Sequence, residues 1–189
     1  MAELRIDAAK AALVLIDLQN AIVSRQAAPH STAQVLENSR KLAEAFRNKG
    51  ATVVYVRVDI NEFLKLPVDE PFRMGDGPFP ESLSEIAPSA GFEAGDILIT
   101  KRHWGAFAGT DLERELKSRG VDTVVLTGIS TNAGVESTLR QGTGLGFAFV
   151  TAEDACSSHD AEQHQFAITN TFPRLSHVRS TGEVLAALA

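Results

Sequence analysis

Short apolar runs alternate with longer stretches of helical periodicity along most of this chain. The run Ala11–Ile16 has no polar residue, and Thr52–Val58 and Val121–Leu126 are nearly as apolar and rich in valine. A strand that helices cover on both faces needs such a run, whereas a half-exposed strand alternates. The pattern predicts an α/β fold with three layers, α/β/α, around a mostly parallel sheet.

The helical segments carry start and stop signals. Ser31 is a good cap for a helix over residues 31–49, and Gly50 follows its end. A helix that starts near Ala133 is expected to fray at the glycines that follow it. The remaining predicted elements are strands at Asp96–Thr100, Phe147–Val150 and near Val178, and helices from Leu112, over Asp160–Thr171 and over Thr181–Leu188.

Residues 59–95 differ in composition from the rest of the chain. Five prolines and several glycines in this span argue against long regular elements. A connection this long in a compact domain is usually functional or packed against a partner, so we expect a pocket lid or an oligomer contact. Arg73 lies in this span and is a candidate for binding a substrate carboxylate, although a loop arginine is more often solvated or ion-paired.

Length, charge and cysteine content limit the possible functions. The chain has 189 residues, 44% of them hydrophobic, which suits a single domain over residues 1–189. The net charge is −6 without a basic run, so neither nucleic acid nor a membrane is an expected partner. No apolar run approaches the roughly 18 residues that span a bilayer, and no signal peptide is apparent. We therefore expect a cytoplasmic protein.

Two polar residues and one turn follow predicted strands. Asp17 follows the first strand and Lys101 follows the third. The segment Thr127–Thr138 predicts the end of a strand, a tight turn and a helix start. Because the carboxyl ends of parallel strands meet at one edge, these groups are expected to converge there. Asp17 is either a catalytic carboxylate or a loop-capping one, and Gln19 either shapes the pocket or satisfies the turn.

The chain resembles the isochorismatase-like hydrolases, which include the nicotinamidases and other cysteine amidohydrolases. The resemblance runs from about Ala11 to the C-terminus. It rests on three blocks of sequence, which are Leu15–Gln19, Lys101 with Gly105–Phe107 and Thr110–Leu112, and the turn at Thr127–Thr138. It implies a Rossmann-type topology, a catalytic aspartate and lysine at Asp17 and Lys101, and a cis peptide between Ile129 and Ser130.

Most members of that superfamily carry a nucleophilic cysteine where this chain has Gly134. A glycine excludes acyl-enzyme chemistry at that position. The isochorismatases proper also lack this cysteine, and their aspartate is thought to protonate a vinyl ether. Cys156, the single cysteine, falls outside the turn and is expected to be a small buried residue. No histidine lies between His30 and His103, where zinc-binding members have ligands, so we predict no metal and no cofactor.

The first hypothesis is therefore a hydrolase that uses Asp17 as general acid/base, without a covalent cysteine intermediate, on isochorismate or a related small carboxylated substrate. The alternatives are an amidase that activates water, a silent relative that binds a small molecule or serves as an assembly subunit, and a cysteine hydrolase whose nucleophile has been mutated. The resemblance also implies a homo-oligomer. Candidate substrate-binding residues are Gln19, Arg73, Trp104, Phe107, Ile129, Ser130 and Ala133.

Overall fold

A six-stranded sheet with strand order β3-β2-β1-β4-β5-β6 forms the centre of the molecule. The computed structural model describes residues 4–71 and 77–189. Every neighbouring pair of strands is parallel, so the predicted α/β fold is confirmed. The strands are β1 (Ala11–Ile16), β2 (Thr52–Val58), β3 (Ile97–Lys101), β4 (Thr123–Ile129), β5 (Ala148–Ser157) and β6 (His177–Arg179).

Helices cover both faces of the sheet, as the continuous apolar runs predict. Leu13 and Leu15 of β1 pack on one face, in the core that includes Phe46. Val14 belongs to the core on the other face, which includes Leu116. The helices are α1 (Asn20–Val23), α2 (Thr32–Asn48), α3 (Leu112–Ser118), α4 (Glu136–Gly144), α5 (Ala161–Phe166) and α6 (Thr181–Ala187).

Helix α2 begins as predicted, because the Ser31 side chain accepts a hydrogen bond from the amide of Gln34.

Short irregular turns complete the chain. The described parts of residues 59–95 form no strand or α-helix before β3. The 3₁₀ turns are Ala8–Lys10, Glu81–Ser84, Pro88–Ala90 and Phe172–Arg174, and the π-helical turns are Thr131–Val135 and Ala167–Thr171.

The helix that was expected to fray at its glycines ends among them, at Gly144 rather than at Gly142. Helix α4 continues through Gly142 to Gly144. A Cβ atom on Gly142 would lie 2.3 Å from Cζ of Phe149 and 2.8 Å from Cε2 of Phe107. Gly142 is therefore needed for close packing of α4 on the sheet, which stabilises the helix there, rather than for ending it.

Strand β5 is longer than the predicted Phe147–Val150. After Thr151 the register with β4 shifts, and pairing resumes where Gly128 faces Cys156. Residues 152–157 lie beyond the predicted end of the strand and form its second half. An irregularity of this kind is set by the neighbouring strand, so the sequence of one strand does not reveal it.

Gly128 brings the end of β4 against β1. Its φ of 126° is unfavourable for any residue with a side chain, and a Cβ atom there would lie 2.2 Å from the carbonyl oxygen of Ile16. This close approach places the turn after β4 directly beside Asp17, the residue that follows β1.

No helix in the described part of the chain is long and apolar enough to cross a lipid bilayer.

Candidate active site

Asp17 and Lys101 form a buried ion pair at the carboxyl edge of the sheet. Nζ of Lys101 lies 2.8 Å from Oδ2 of Asp17, so the predicted convergence is confirmed. Asp17 follows β1 and has a φ of 55°, and Lys101 is the last residue of β3. The lysine also donates to the carbonyl oxygen of Trp104 at 2.7 Å, which fixes the ammonium from a second direction.

Burial dominates the electrostatics of Asp17. It raises the pKa of the carboxyl above its usual value, while the charge of Lys101 and its hydrogen bond act in the opposite direction. The residue is 7% exposed, and its Oδ1 atom has no hydrogen-bond partner in the described part of the chain. An unpartnered buried oxygen is costly, so Asp17 is equipped to bind or protonate a group from outside the chain.

Gly134 closes the site from the side of β4. A Cβ atom built on it would lie 2.9 Å from Oδ2 of Asp17, 3.1 Å from Nζ of Lys101 and 3.1 Å from Cγ2 of Ile16. Real Cβ atoms essentially never approach another heavy atom as closely as 2.9 Å. A side chain at this position would therefore require the ends of the Asp17 and Lys101 side chains to shift.

The turn that carries Gly134 is held by its own backbone and by α4. The peptide between Ile129 and Ser130 is cis, as the resemblance implies. The carbonyl oxygen of Ser130 accepts from the amides of Ala133, at 3.1 Å, and Val135, at 3.2 Å. The Thr138 hydroxyl of α4 donates to the carbonyl oxygen of Gly134 at 2.7 Å. Gly134 is therefore fixed from both ends of the turn.

A pocket of about 200 Å³ opens above the ion pair. Its wall combines apolar and aromatic side chains with a few polar groups, as small-molecule sites commonly do. Seven lining residues were predicted from the sequence, namely Asp17, Lys101, Trp104, Ile129, Ser130, Ala133 and Gly134. Seven more were missed, namely Ile22, Arg25, Val58, Phe63, Asn132, His159 and Gln163.

Three candidate residues are not found in the described pocket wall. Gln19 is buried, and its amide is used by the backbone of Val58 and Leu83, which supports its reading as a residue that satisfies the turn. Phe107 belongs to the core and stacks on Phe147 at 5.6 Å between ring centroids. Arg73 lies outside the described residues. Phe63, which does lie in residues 59–95, lines the pocket as a lid residue would.

Arg25 is the most informative of the missed residues. It follows α1, is exposed and lines the pocket. Its guanidinium group forms no ion pair or hydrogen bond with the described residues. Because Asp17 and Lys101 neutralise each other, Arg25 leaves the described part of the pocket wall with a net positive charge. The only sequence signal for this residue is its position in the β1–α2 connection, near the carboxyl end of β1.

Cys156 lies in β5, fully buried in the core and outside the described pocket wall. Burial raises the pKa of its thiol far above the usual value, so the thiol is protonated at neutral pH. These observations agree with the expectation of a small buried residue.

A second polar cluster lies behind the turn. The side chains of His30, Glu153 and His164 converge so that their ligand-type atoms lie within 4.8 Å of one another, which makes them a possible metal site. The first two come from the α1–α2 connection and β5, and His164 comes from α5. No sequence pattern indicates this cluster, because its members lie far apart in the chain.

The fold and the pocket define an α/β protein with a small-molecule site at the carboxyl edge of a parallel sheet. The isochorismatase domain profile matches residues 11–183, and the chain belongs to the isochorismatase family of hydrolases. The family protein YecD of Escherichia coli O157:H7 is 48% identical over 98% of this chain and 100% of its own length. YwoC of Bacillus subtilis is 42% identical over 98% and 97% of the two chains.

One solved structure and one relative with an assigned activity extend the comparison. An isochorismatase family protein from Burkholderia thailandensis superposes with a TM-score of 0.91, at 37% identity over 98% of both chains. The ureidoacrylate amidohydrolase RutB of Cronobacter sakazakii is 29% identical over 94% of this chain and 89% of its own. This relative is named for amide hydrolysis.

Proposed function

We propose that this protein hydrolyses a small carboxylated vinyl ether, isochorismate or a related compound, without a covalent intermediate. The resemblance to the cysteine hydrolases places Gly134 at the position of their nucleophile, and a glycine offers no attacking side chain, so water is the nucleophile in this proposal. The observation that carries the proposal is the contact geometry of Gly134. A Cβ atom there would lie 2.9 Å from Oδ2 of Asp17, so a cysteine would require the ends of the buried Asp17 and Lys101 side chains to shift.

In this reaction, Asp17 acts as general acid and then as general base. Its carboxyl proton moves to the terminal methylene carbon of the enol ether, and an oxocarbenium-like centre forms at the carbon attached to the ether oxygen. Water adds to that carbon and returns a proton to the Asp17 carboxylate. The resulting hemiketal then breaks the bond between its central carbon and the ether oxygen. Its hydroxyl group loses a proton to become the keto group, and the departing ring oxygen gains one, which releases pyruvate and a dihydrodiol.

Lys101 and burial supply the opposing electrostatic effects that such a residue needs. Burial raises the pKa of Asp17, which favours the protonated acid before the first step. The Lys101 ammonium, at 2.8 Å, stabilises the carboxylate once the proton has left. The two effects together let one carboxyl group both donate and accept a proton.

Arg25 supports an anionic substrate. An unpaired guanidinium at a pocket that already contains a neutralised ion pair is suited to a carboxylate, which it can bind through two parallel hydrogen bonds. We assign to Arg25 the role that the sequence suggested for Arg73. Arg25→Met should raise KM for an anionic substrate by about tenfold or more with a smaller effect on kcat. Arg114→Met, at a side chain that is 69% exposed, is the matched control.

The decisive experiment supplies isochorismate and measures pyruvate release. The wild type should turn over, and Asp17→Ala should lose about 10²–10⁴-fold in kcat, the usual contribution of general acid/base catalysis. Asp17→Asn keeps the shape of the side chain and should be equally impaired. Unimpaired pyruvate release by both variants would rule out Asp17 as the acid.

Amide hydrolysis with Asp17 as general base for water is the second candidate. The relation to RutB supports it, as do the small residues of the turn at Ser130–Ala133. Ammonia release from an amide panel that includes nicotinamide and a ureido compound, without pyruvate release, would favour it.

In a mutated cysteine hydrolase, Gly134→Cys should create amidase activity. If neither substrate class reacts while a pocket ligand raises the melting temperature, the protein is a silent, ligand-binding relative.

We further propose that the protein is a homo-oligomer in which a second copy covers part of residues 59–95. Leu64, Leu66 and Val68 in this span are each at least 39% exposed. Adjacent exposed apolar side chains are typical of an interaction surface. Light scattering should give at least twice the mass of the 20.3 kDa chain, and Leu66→Lys with Val68→Lys should lower it. A wild-type monomer at micromolar concentration would contradict this.

A further inference from the structure

Helix α5 holds two consecutive residues, Thr131 and Asn132, of the turn that carries Gly134. Nδ1 of His164 lies 2.8 Å from Oγ1 of Thr131, and both side chains are fully buried. Next to them, the Asn132 amide donates to Oε1 of Gln163 at 2.8 Å. Thr131 and Asn132 directly precede Ala133 and Gly134, so their position determines where Gly134 lies relative to the ion pair.

Glu153 orients the far side of the His164 ring. Its Oε1 atom lies 3.1 Å from Nε2 of His164 and 2.6 Å from Nε2 of His30. Nδ1 of His30 is 3.1 Å from the side-chain amide nitrogen of Gln34, which can only donate. The His30 ring therefore accepts at Nδ1 and donates from Nε2 to the carboxylate.

The same logic fixes the tautomer of His164. The carboxylate of Glu153 is an acceptor, since the hydrogen bonds from His164 and His30 lower its pKa to about 2. His164 therefore carries a proton on Nε2, and a neutral ring accepts at Nδ1 from the Thr131 hydroxyl. Every ring nitrogen in the cluster then has a partner without any added ion.

Hydrogen bonding fits the cluster better than a bound metal does. Two ligand atoms at 2.0–2.1 Å from a tetrahedral zinc ion are about 3.3 Å apart. The observed separations of 2.6 Å and 3.1 Å are shorter and lie within the normal range of N–H···O hydrogen bonds.

We propose that His164 is a positioning residue, which holds the turn through Thr131 and is itself oriented by Glu153, so that Gly134 stays at its close distance from Asp17 and Lys101. The role goes beyond the proposed reaction, because any chemistry at this site depends on the place of the turn. It is a role in geometry, since the His164 ring does not line the pocket.

The first test removes the Thr131 hydroxyl and measures amide hydrogen exchange, which needs no substrate. Thr131→Val should speed exchange at the amides of Ala133 and Val135, which bond to the Ser130 carbonyl, by roughly tenfold or more. Thr131→Ser keeps the hydroxyl and should stay within about threefold of the wild type. Thr151→Val, which also removes a buried hydroxyl but one bonded to Ser176, should leave these two amides unchanged.

The second test separates the two sides of the imidazole ring. In His164→Asn the side-chain amide can take the place of Nδ1 and accept from Thr131, whereas in His164→Gln it can take the place of Nε2 and reach Glu153. Amide exchange at Ala133 and Val135 should therefore be slower in the Asn variant than in the Gln variant. If Thr131→Val does not fold, the comparison of His164→Asn with His164→Gln tests the same positioning role.

Kinetics provide the third measurement, and only this one rests on the proposed function. With the substrate that the wild type converts, Thr131→Val should lower kcat by about 10–100-fold with less change in KM, because small misplacements of a reacting group are costly. Thr131→Ser should restore kcat. Equal exchange in Thr131→Val, Thr131→Ser and Thr151→Val would overturn the positioning role whether or not a substrate is known.

Metal binding by the cluster of His30, Glu153 and His164 would also overturn the positioning role of His164. The wild type should not compete for zinc with a chromophoric chelator of micromolar affinity. Stoichiometric zinc binding that Glu153→Gln and His30→Gln abolish would show that the cluster is a metal site instead.

Discussion

The carboxylate of Asp17 and the ammonium of Lys101 are 2.8 Å apart, with both residues buried at the ends of β1 and β3. Burial on this scale makes each charge dependent on the other, because the buried surroundings solvate an isolated charge poorly. The pair therefore affects both the stability of the fold and the chemistry of the pocket.

Removing the lysine charge should destabilise the protein strongly. We expect Lys101→Met to lower the free energy of unfolding by about 3–5 kcal/mol, because it leaves a buried carboxylate without its partner. Urea denaturation measures this. Lys41→Met breaks an exposed i,i+4 pair with Glu37 and should cost less than about 1 kcal/mol. A similar small cost for both variants would show that Asp17 is adequately solvated without Lys101.

The pH dependence of turnover should distinguish the two candidate reactions. The pKa of Asp17 is raised, so the protonated acid persists above the usual range and is lost as the pH rises through the folded-state pKa. Vinyl ether hydrolysis should therefore fall by about tenfold per pH unit above that pKa. Amide hydrolysis with Asp17 as base should rise with pH and level off. A pH-independent kcat would contradict both roles.

Glu153 should contribute to stability at acid pH. Its pKa is lowered from 4.5 to about 2, so the folded protein binds fewer protons than the unfolded chain between these values. Stability from this group is present above pH 4.5 and is lost as the pH falls toward 2. Glu153→Gln should show a smaller loss of melting temperature over this range than the wild type, although it is less stable at pH 7.

The glycines of α4 should respond differently to alanine. Gly142→Ala should destabilise by about 1–3 kcal/mol, because its Cβ atom meets Phe149. Gly144→Ala faces open space and should stabilise by about 0.4–1 kcal/mol, since alanine has less conformational freedom in the unfolded chain. Melting temperatures of the two variants, measured side by side, test the packing argument. The opposite order would refute it.

Cys156 should be dispensable for turnover. Cys156→Ser is expected to keep kcat within about twofold while lowering the melting temperature, because it buries a hydroxyl group in an apolar core. The native thiol should resist alkylation, being fully buried and protonated. Loss of turnover in the Ser variant without loss of folding would indicate that Cys156 takes part in the chemistry.

The sequence by itself determined most of the elements and the polar residues that lie at the ends of the strands. Continuous apolar runs require burial on both faces, so β1 and β2 and the parallel sheet follow from local pattern alone. Asp17 and Lys101 were predictable because a polar residue directly after a buried strand lies at the carboxyl edge of the sheet. Gly134 was singled out through the resemblance to the cysteine hydrolases, which places it at the position of their nucleophile.

Only the tertiary structure decided which side chains share the pocket. Gln19 and Phe107 lie in the right segments, yet their side chains are used by the backbone of Val58 and by the core. Arg25 and the cluster of His30, Glu153 and His164 come from connections and elements that meet only when the chain folds. The direction of a side chain depends on packing against distant residues, and a one-dimensional pattern does not contain that information.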